Sequence, residues 1–153
     1  MSTPQPDFES FVLNRARVVL DPDPKARRPS RLEPGDGWVL LLQAMERRAG
    51  FGSERNRQTL VMLQWDAQPP LDTPLDLAHS PRQASYEYGA QAALYISRTV
   101  TGTLLLSRQP DGSLLATLDA VFSQPTLGEG ARTLRGAYPL RPHPHPEFYR
   151  AEE

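Results

Sequence analysis

The residues most suggestive of metal chemistry are two histidines near the end of the sequence. His143 and His145 alternate with prolines in the run Pro-His-Pro-His-Pro. A zinc or nickel site needs more ligands, so a third group such as His79 or Glu147 would have to join them. Proline-rich tracts that contain histidine are also common as solvated tails. We therefore expect a polar tail over residues 141–153, with no metal and no other cofactor.

Nucleophilic catalysis is the second chemistry to consider, and it needs a hydroxyl or thiol beside a base. The sequence contains three histidines and no cysteine, which excludes disulfides and thiol chemistry. The segment Gly50-Phe-Gly-Ser53 lacks the Gly-x-Ser-x-Gly frame of a nucleophile elbow. It also fails the dinucleotide-binding spacing, because Arg55 stands where the third glycine should be. The sequence therefore predicts that the protein is not an enzyme.

Paired carboxylates form the third candidate for chemistry. Asp66, Glu87 and Asp119 could act as general acid and base if the fold brought them into one cleft. Glu87 and Asp119 fall at polar positions of predicted strands, where acids commonly face solvent. We expect all three carboxylates to lie on the surface.

Two basic segments are the candidates for contact with a partner. Residues 25–31 carry four basic side chains and no acid, and residues 47–57 carry four arginines against Glu54 alone. If both segments lie at one end of the fold, they form a basic rim with an aromatic ring between them, as single-strand binders do. The net charge of −1 does not favour nucleic acid as the main partner. The candidate contact residues are Lys25, Arg27, Arg28, Arg31, Arg47, Arg48, Phe51, Arg55 and Arg57.

These groups must be positioned by a chain of 153 residues, a length that fits one domain. We expect residues 1–153 to form a single β domain, with flexible residues 1–7 and the tail at its two ends. The opening residues carry neither the basic start nor the apolar run of a secretory signal. The longest apolar run, Trp38 to Leu42, is too short to span a bilayer. We expect a cytoplasmic protein without a membrane span.

The strongest local signal is the turn Pro110-Asp-Gly-Ser113. Proline presets φ, aspartate tolerates the next position, and Gly112 can adopt the left-handed conformation that closes the bulge. It joins a Thr-, Val- and Leu-rich run over residues 99–109 to residues 114–123, where apolar and polar side chains alternate with period two. This pattern predicts a β-hairpin.

The segment from Gly37 to Arg48 is compatible with two structures. Its apolar residues lie on one helical face, with Asp36 and Gly50 as possible caps. It also matches Thr59 to Trp65 in length and apolar density, which favours a hairpin of buried strands. The segment from Phe8 to Leu20 also has two possible structures at its start: it ends as a strand, but its first residues could form a short helix.

The remaining segments are short and are divided by many of the sixteen prolines. Residues 21–36 form a predicted polar loop, and residues 69–77 a connection whose leucines pack on the core. Short strands are predicted around Gly89, at residues 85–88 and 93–97, and a last one at 133–140. About eight strands predict a mainly β protein, either an antiparallel β-sandwich or a partly open barrel.

From Trp38 onward, the predicted hairpin, bend and strands follow one another in a characteristic order. A hairpin led by this tryptophan is followed by the bend at Pro69–Pro74, a strand from Tyr86 to Tyr95, a Thr101-Gly-Thr103 strand and a last Gly136-Ala-Tyr138 strand. In this layout, which covers roughly three-quarters of the chain, the sequence resembles small bacterial β-sandwich proteins of unknown function. Many of those look like lipoproteins with an N-terminal leader, and the composition of the opening residues leads us to expect none here. The resemblance implies a β-sandwich and no activity.

The absence of a catalytic set, the proline-rich ends and the strand edges favour a non-enzymatic binding or assembly module. It would act through protein–protein contacts, either with another protein or by self-association. The alternative is nucleic-acid contact through the arginine-rich residues 25–31 and 47–57. A second alternative is a β-barrel that binds an apolar small ligand, because Leu-rich strands with Trp38, Trp65 and Tyr138 could line a pocket.

Overall fold

The computed structural model describes residues 7–20, 31–46, 57–90, 93–123 and 131–143. These residues form β-strands and contain no helix, so the prediction of a mainly β protein is confirmed. Within the same ranges, no helix long and apolar enough to cross a bilayer occurs. The strands are β1 Glu9–Val19, β2 Arg31–Glu46, β3 Arg57–Trp65, β4 Leu75–Asp76, β5 Gln83–Ala90, β6 Ala93–Ser97, β7 Thr99–Arg108, β8 Leu114–Ser123 and β9 Arg132–Pro142.

The nine strands form one sheet in the order β4-β7-β8-β9-β1-β2-β3-β5-β6. All neighbours are antiparallel except β1 and β9, which pair in parallel at Phe11–Arg141 and Val12–Pro142. The sheet is therefore mixed, and it stays open because β4 and β6 are its two edges. The open sheet fits the predicted mainly β class. The expectation of a wholly antiparallel fold is wrong, because β9 returns beside β1 in the same direction.

The sheet has two halves, one formed by β1, β2, β3, β5 and β6 and the other by β4, β7, β8 and β9. The main core lies between these two halves. In β8 the even-numbered side chains from Ala116 to Phe122 are buried, whereas Thr117 and Asp119 are exposed. The ring of Phe122 lies 5.2 Å from that of Tyr86 on β5, so side chains from distant strands meet in one layer. The buried residues of this core are Trp38, Leu40, Leu42, Val61, Leu63, Trp65, Leu77, Ala84, Tyr86, Val100, Leu104, Leu106, Ala116, Leu118, Ala120, Phe122, Leu134 and Leu140.

A second apolar cluster covers the opposite face of β1, β2 and β3. The hairpin of β1 and β2 is irregular at Arg15, which has a φ of 57°, and at residues 35–37 of β2. At this irregularity the buried positions of the cluster change from odd to even numbers in both strands. The part of the hairpin beyond it therefore adds Ala16, Val18 and Leu32 to the same apolar surface. The cluster consists of Phe11, Leu13, Ala16, Val18, Leu32, Val39, Leu41 and Met62.

Two glutamine side chains hold the far part of this hairpin, residues 16–19 and 31–34, in place. The backbone N–H of Val18 donates to Gln64 Oε1 at 2.8 Å, and Gln83 Nε2 donates to the Val18 carbonyl at 2.8 Å. Gly37 permits the close approach, because a Cβ there would lie 2.6 Å from the Ala16 carbonyl oxygen. Side-chain amides thus complete the backbone hydrogen bonding that a neighbouring strand would otherwise supply.

The hairpin interpretation of the segment from Gly37 onward is confirmed, since Trp38 of β2 lies opposite Trp65 of β3. The helical alternative is wrong because the buried partner strand satisfies this backbone in an extended conformation. The alternative helix at Phe8 is also wrong, since β1 begins at Glu9. The predicted polar loop is too long at its end, because residues 31–36 belong to β2 and pair with β1.

The hairpin at Pro110-Asp-Gly-Ser113 is confirmed. Gly112 has a φ of 91°, and its N–H donates to the Gln109 carbonyl at 2.9 Å. The Asp111 carboxylate accepts from the side chain and the backbone N–H of Ser113, which lowers the pKa of Asp111. The turn is therefore stabilised by local contacts alone.

Two details of the later strands differ from the prediction. Gly89 lies within β5 rather than between two strands, and β5 and β6 are joined through residues 91–92, which lie outside the described residues. On β9, Leu134 and Leu140 are buried as predicted, but Gly136 is exposed. A Cβ at Gly136 would lie 3.1 Å from the Tyr138 hydroxyl, so that side chain covers the glycine backbone.

Candidate partner-binding edge

Of the nine candidate contact residues, only Arg31 has a described side chain. It lies at the start of β2 and forms an ion pair with Glu33 at 3.0 Å, while Arg17 pairs with the same carboxylate at 2.9 Å. Hydrogen bonds first from Arg17 and then from Arg31 lower the pKa of Glu33. The others lie outside the described residues, apart from the backbone of Arg57: Lys25, Arg27, Arg28, Arg47, Arg48, Phe51, Arg55 and the Arg57 side chain.

The strand order bears on whether the two basic segments can share a rim. The first segment leads into Arg31 at the start of β2, and the second leaves Glu46 at its end. A strand of 16 residues, at about 3.3 Å per residue, measures roughly 50 Å along the chain. The anchors of the two segments thus lie at opposite ends of β2. The nucleic-acid hypothesis required both basic segments to lie at one end of the fold, and the strand order does not support this. Nucleic-acid binding stays a prediction.

The three candidate carboxylates have separate neighbours. Asp66 accepts from Arg82 at 3.1 Å, and Asp119 accepts from Arg135 at 2.9 Å, both on the surface. Glu87 is only 3% exposed and accepts from Ser85 Oγ at 2.9 Å, so its expected surface position is wrong. Four strands separate β8, which carries Asp119, from β5, which carries Glu87. This placement does not produce an acid–base pair between them.

The described histidines are not arranged for metal binding. His79 is exposed and lies 3.9 Å from Asp76, whereas the ring of His143 packs 4.5 Å from that of Phe11. Among the described residues, no group of three or more histidines and carboxylates could hold a metal ion. His145 and Glu147 of the predicted ligand set lie outside those residues.

Two surface hollows flank the far part of the β1–β2 hairpin. The larger has a volume of about 600 Å³ and contains the Asp66–Arg82 ion pair, and the smaller has about 330 Å³. No buried residue of the main core lines either hollow, and their apolar lining includes Leu13, Ala16, Val18 and Leu32 of the second cluster. Neither is an enclosed apolar site, and the described strands do not close into a barrel. Binding of an apolar small ligand stays a prediction.

One edge of the sheet is covered by the chain itself. β4 pairs with β7 at Leu75–Leu104, and the flanking Asp72 and Leu77 donate backbone N–H groups to the carbonyls of Leu106 at 2.6 Å and Gly102 at 2.9 Å. Leu77 is 1% exposed and anchors this cover in the main core. We call residues 69–80 the covering segment. The segment includes Pro69, Pro70 and Pro74, which cannot donate to a further strand.

At the other edge, the described residues provide no comparable cover. β6 pairs with β5 from Tyr86–Ser97 to Ala90–Ala93, and no described residue forms a strand on its outer side. Its sequence, Ala-Leu-Tyr-Ile-Ser, contains none of the charges or prolines that commonly protect an edge. The unpaired donors and acceptors of such an edge form a template for another strand. We call residues 93–97 the open edge.

The open edge is held firmly at its end. Only Arg98 separates β6 from β7, so the chain passes directly from one half of the sheet to the other. The buried Ser97 hydroxyl contacts the carbonyls of Thr99, at 3.2 Å, and of Ser123. This corner fixes the end of β6 at Ser97. A template strand that is already ordered at this end reduces the entropy lost when another strand binds to it.

Comparison with protein-family models, with curated proteins and with solved structures finds no match for the chain. The site must therefore be argued from its own geometry. Sequence reasoning identified residues 93–97 as a strand but not as an edge, because sheet order depends on contacts distant in sequence. A usable signal was present: an uncharged run of five residues is followed, after one residue, by another strand.

Proposed function

We propose that this chain is a non-enzymatic binding or assembly module that accepts an extended strand of a protein partner along the open edge. The observation that carries the proposal is the contrast between β6, which is uncharged and lies at the sheet edge, and β7, whose edge the covering segment occupies. The proposal retains the cytoplasmic location expected from the sequence.

The physical basis is main-chain hydrogen bonding. In strand addition, backbone groups supply affinity and alternate side chains supply selectivity. A five-residue edge offers only a few such bonds, and each contributes about 1 kcal/mol net. We therefore expect weak, reversible binding, strengthened where a partner also contacts neighbouring surface.

The test uses the full chain and a displayed library of random nine-residue peptides. Selected peptides are synthesised, and amide hydrogen exchange of the chain is measured with and without each one. We expect slower exchange at the backbone amides of residues 93–97. A matched peptide methylated on alternate backbone nitrogens has the same side chains but cannot donate, and it should give no protection.

Two outcomes would overturn the proposal. One is a library from which no peptide is enriched. The other is a set of peptides that protect a different surface while the amides of the open edge keep their exchange rates. The β7 amides provide an internal control, because the covering segment already occupies that edge.

A further inference from the structure

The open edge can be assigned a particular partner. We infer that the strand it accepts is β6 of a second copy of this chain, paired antiparallel about a two-fold axis. This inference rests on the proposed function, because it names the occupant of the same edge. It predicts a reversible dimer in which one continuous sheet runs through both copies.

The register of β6 allows it to pair with a second copy of itself. β6 has five residues, Ala93–Ser97, with Tyr95 at its centre. Antiparallel pairing about a two-fold axis through that centre puts Tyr95 opposite its copy and Leu94 opposite Ile96. Aromatic and β-branched residues are those that cross-strand pairing favours. A strand of odd length with an aromatic centre is thus suited to pair with itself.

The absence of charge on β6 also favours pairing with a second copy. At the centre of a two-fold strand pair, each residue meets its own copy, so a charge there would face a like charge and oppose association. None of residues 93–97 is charged. The net charge of the chain is −1, so long-range repulsion between two copies is also small. Both observations favour a second copy as the occupant.

The size of the edge limits the strength of the dimer. Stable interfaces bury roughly 1,200–2,000 Å² in total, and pairing through five residues buries less than that. We therefore expect a dissociation constant in the micromolar to millimolar range, which requires measurements up to about 1 mM protein.

The test exploits the central position of Tyr95. We expect Tyr95→Lys and Tyr95→Glu each to be monomeric at concentrations where the wild type dimerises, with at least a tenfold weaker association. An equimolar mixture of the two should recover the dimer, because unlike charges then meet at the axis. Sedimentation equilibrium measures both, and circular dichroism confirms that each variant is folded.

A matched control places the same charges on the exposed outer face of β7. Thr101→Lys and Thr101→Glu should leave dimerisation unchanged, because Thr101 lies on the other half of the sheet. A fold-independent check is to add a peptide of residues 92–98 in excess to the wild type, which should return it to monomer.

A wild type that stays monomeric up to about 1 mM, or a mixture that fails to restore association, would overturn self-pairing. The strand-binding function has a separate outcome. If the wild type is monomeric but selected peptides still protect residues 93–97, only the identity of the partner is wrong. If neither occurs, both proposals fail.

Discussion

The two edges of the sheet solve the same problem in opposite ways. At β7, the covering segment supplies backbone donors to Gly102 and Leu106 and is anchored by a buried leucine. At β6, an uncharged strand ends the sheet, and the described residues place no strand beside it. Protection of edges is the rule in soluble β proteins. The chain thus protects one edge of its sheet with its own residues. We therefore interpret the open edge at β6 as functional.

The largest expected effect comes from Gly102→Ala in β7, the strand that the covering segment protects on one side and that β8 pairs with on the other. Gly102 has a φ of 119°, and a Cβ there would lie 2.0 Å from the Asp119 carbonyl oxygen. Because backbone atoms cannot yield as a flexible side chain does, β7 and β8 must separate locally. We expect a loss of about 3–5 kcal/mol in the free energy of unfolding, measured by urea denaturation.

Gly112→Ala is the control for that change. Its φ of 91° is also positive, but no atom lies within 4 Å of the added Cβ. The expected loss is therefore the conformational cost alone, about 1–2 kcal/mol. Equal losses in the two variants would show that the contact with β8 does not matter.

The second prediction converts the covered edge into an open one. Leu77→Ala removes the buried anchor of the covering segment and should cost about 2–4 kcal/mol. Because the segment then detaches more often, we also expect stronger self-association, measured by light scattering at matched concentrations. Leu71→Ala, at a half-buried position, should cost less and leave association unchanged. Absence of any added association in Leu77→Ala would contradict the protective role of the segment.

The third prediction concerns the corner that fixes the open edge. Ser97→Ala removes the hydrogen bonds that the Ser97 hydroxyl donates to the part-buried carbonyls of Thr99 and Ser123. The expected loss is about 1–2 kcal/mol, with faster hydrogen exchange at residues 93–97. Ser107→Ala on β7 is the matched change on the other half of the sheet. If both variants exchange alike at β6, the corner does not order the edge.

The smallest effect serves as a baseline away from both edges. The pKa of Glu33 is lowered by Arg17 and then Arg31, so its ion pairs stabilise the fold above the pKa of the unfolded chain. That stabilisation is lost as the pH falls through the lower folded-state pKa. We expect Glu33→Gln to lower the melting temperature slightly at pH about 7 and to match the wild type once the pH is below the folded-state pKa of Glu33.

High salt provides the control for this electrostatic effect. In about 1 M NaCl the charges are screened, and the difference between Glu33→Gln and the wild type at neutral pH should shrink. A difference that stays constant with both pH and salt would mean that the substitution acts through packing rather than through the loss of charge.

The features that sequence predicted are those determined by neighbouring residues. The turn at Gly112 and the alternation of β8 depend on local conformation and on one buried face. The pairing of Phe11 with Arg141 joins residues 130 positions apart, and no local pattern specifies it. The bend at Arg15 was missed because a non-glycine residue with positive φ is uncommon. The burial of Glu87 was missed because strand periodicity does not show which outer faces are covered.

The candidate site shows the same division. Residues 93–97 were predicted as a strand from their composition, but their position at an edge follows only from the complete strand order. The two basic segments were predicted as contact sites because clusters of charged residues can be recognised in a sequence. The backbone groups of an edge strand have no residue-type signature, since every residue except proline carries the same donor and acceptor.

The parallel contact between β1 and β9 also sets an order of events during synthesis. β1 emerges from the ribosome early, but the strand beside it on that flank ends at Pro142. The β1–β2–β3 hairpins can form while translation continues, whereas the sheet stays in two unjoined parts until the ninth strand has been made. During that interval, the flank of β1 is itself an exposed edge, and the nascent chain is at its most vulnerable to pairing with a neighbour.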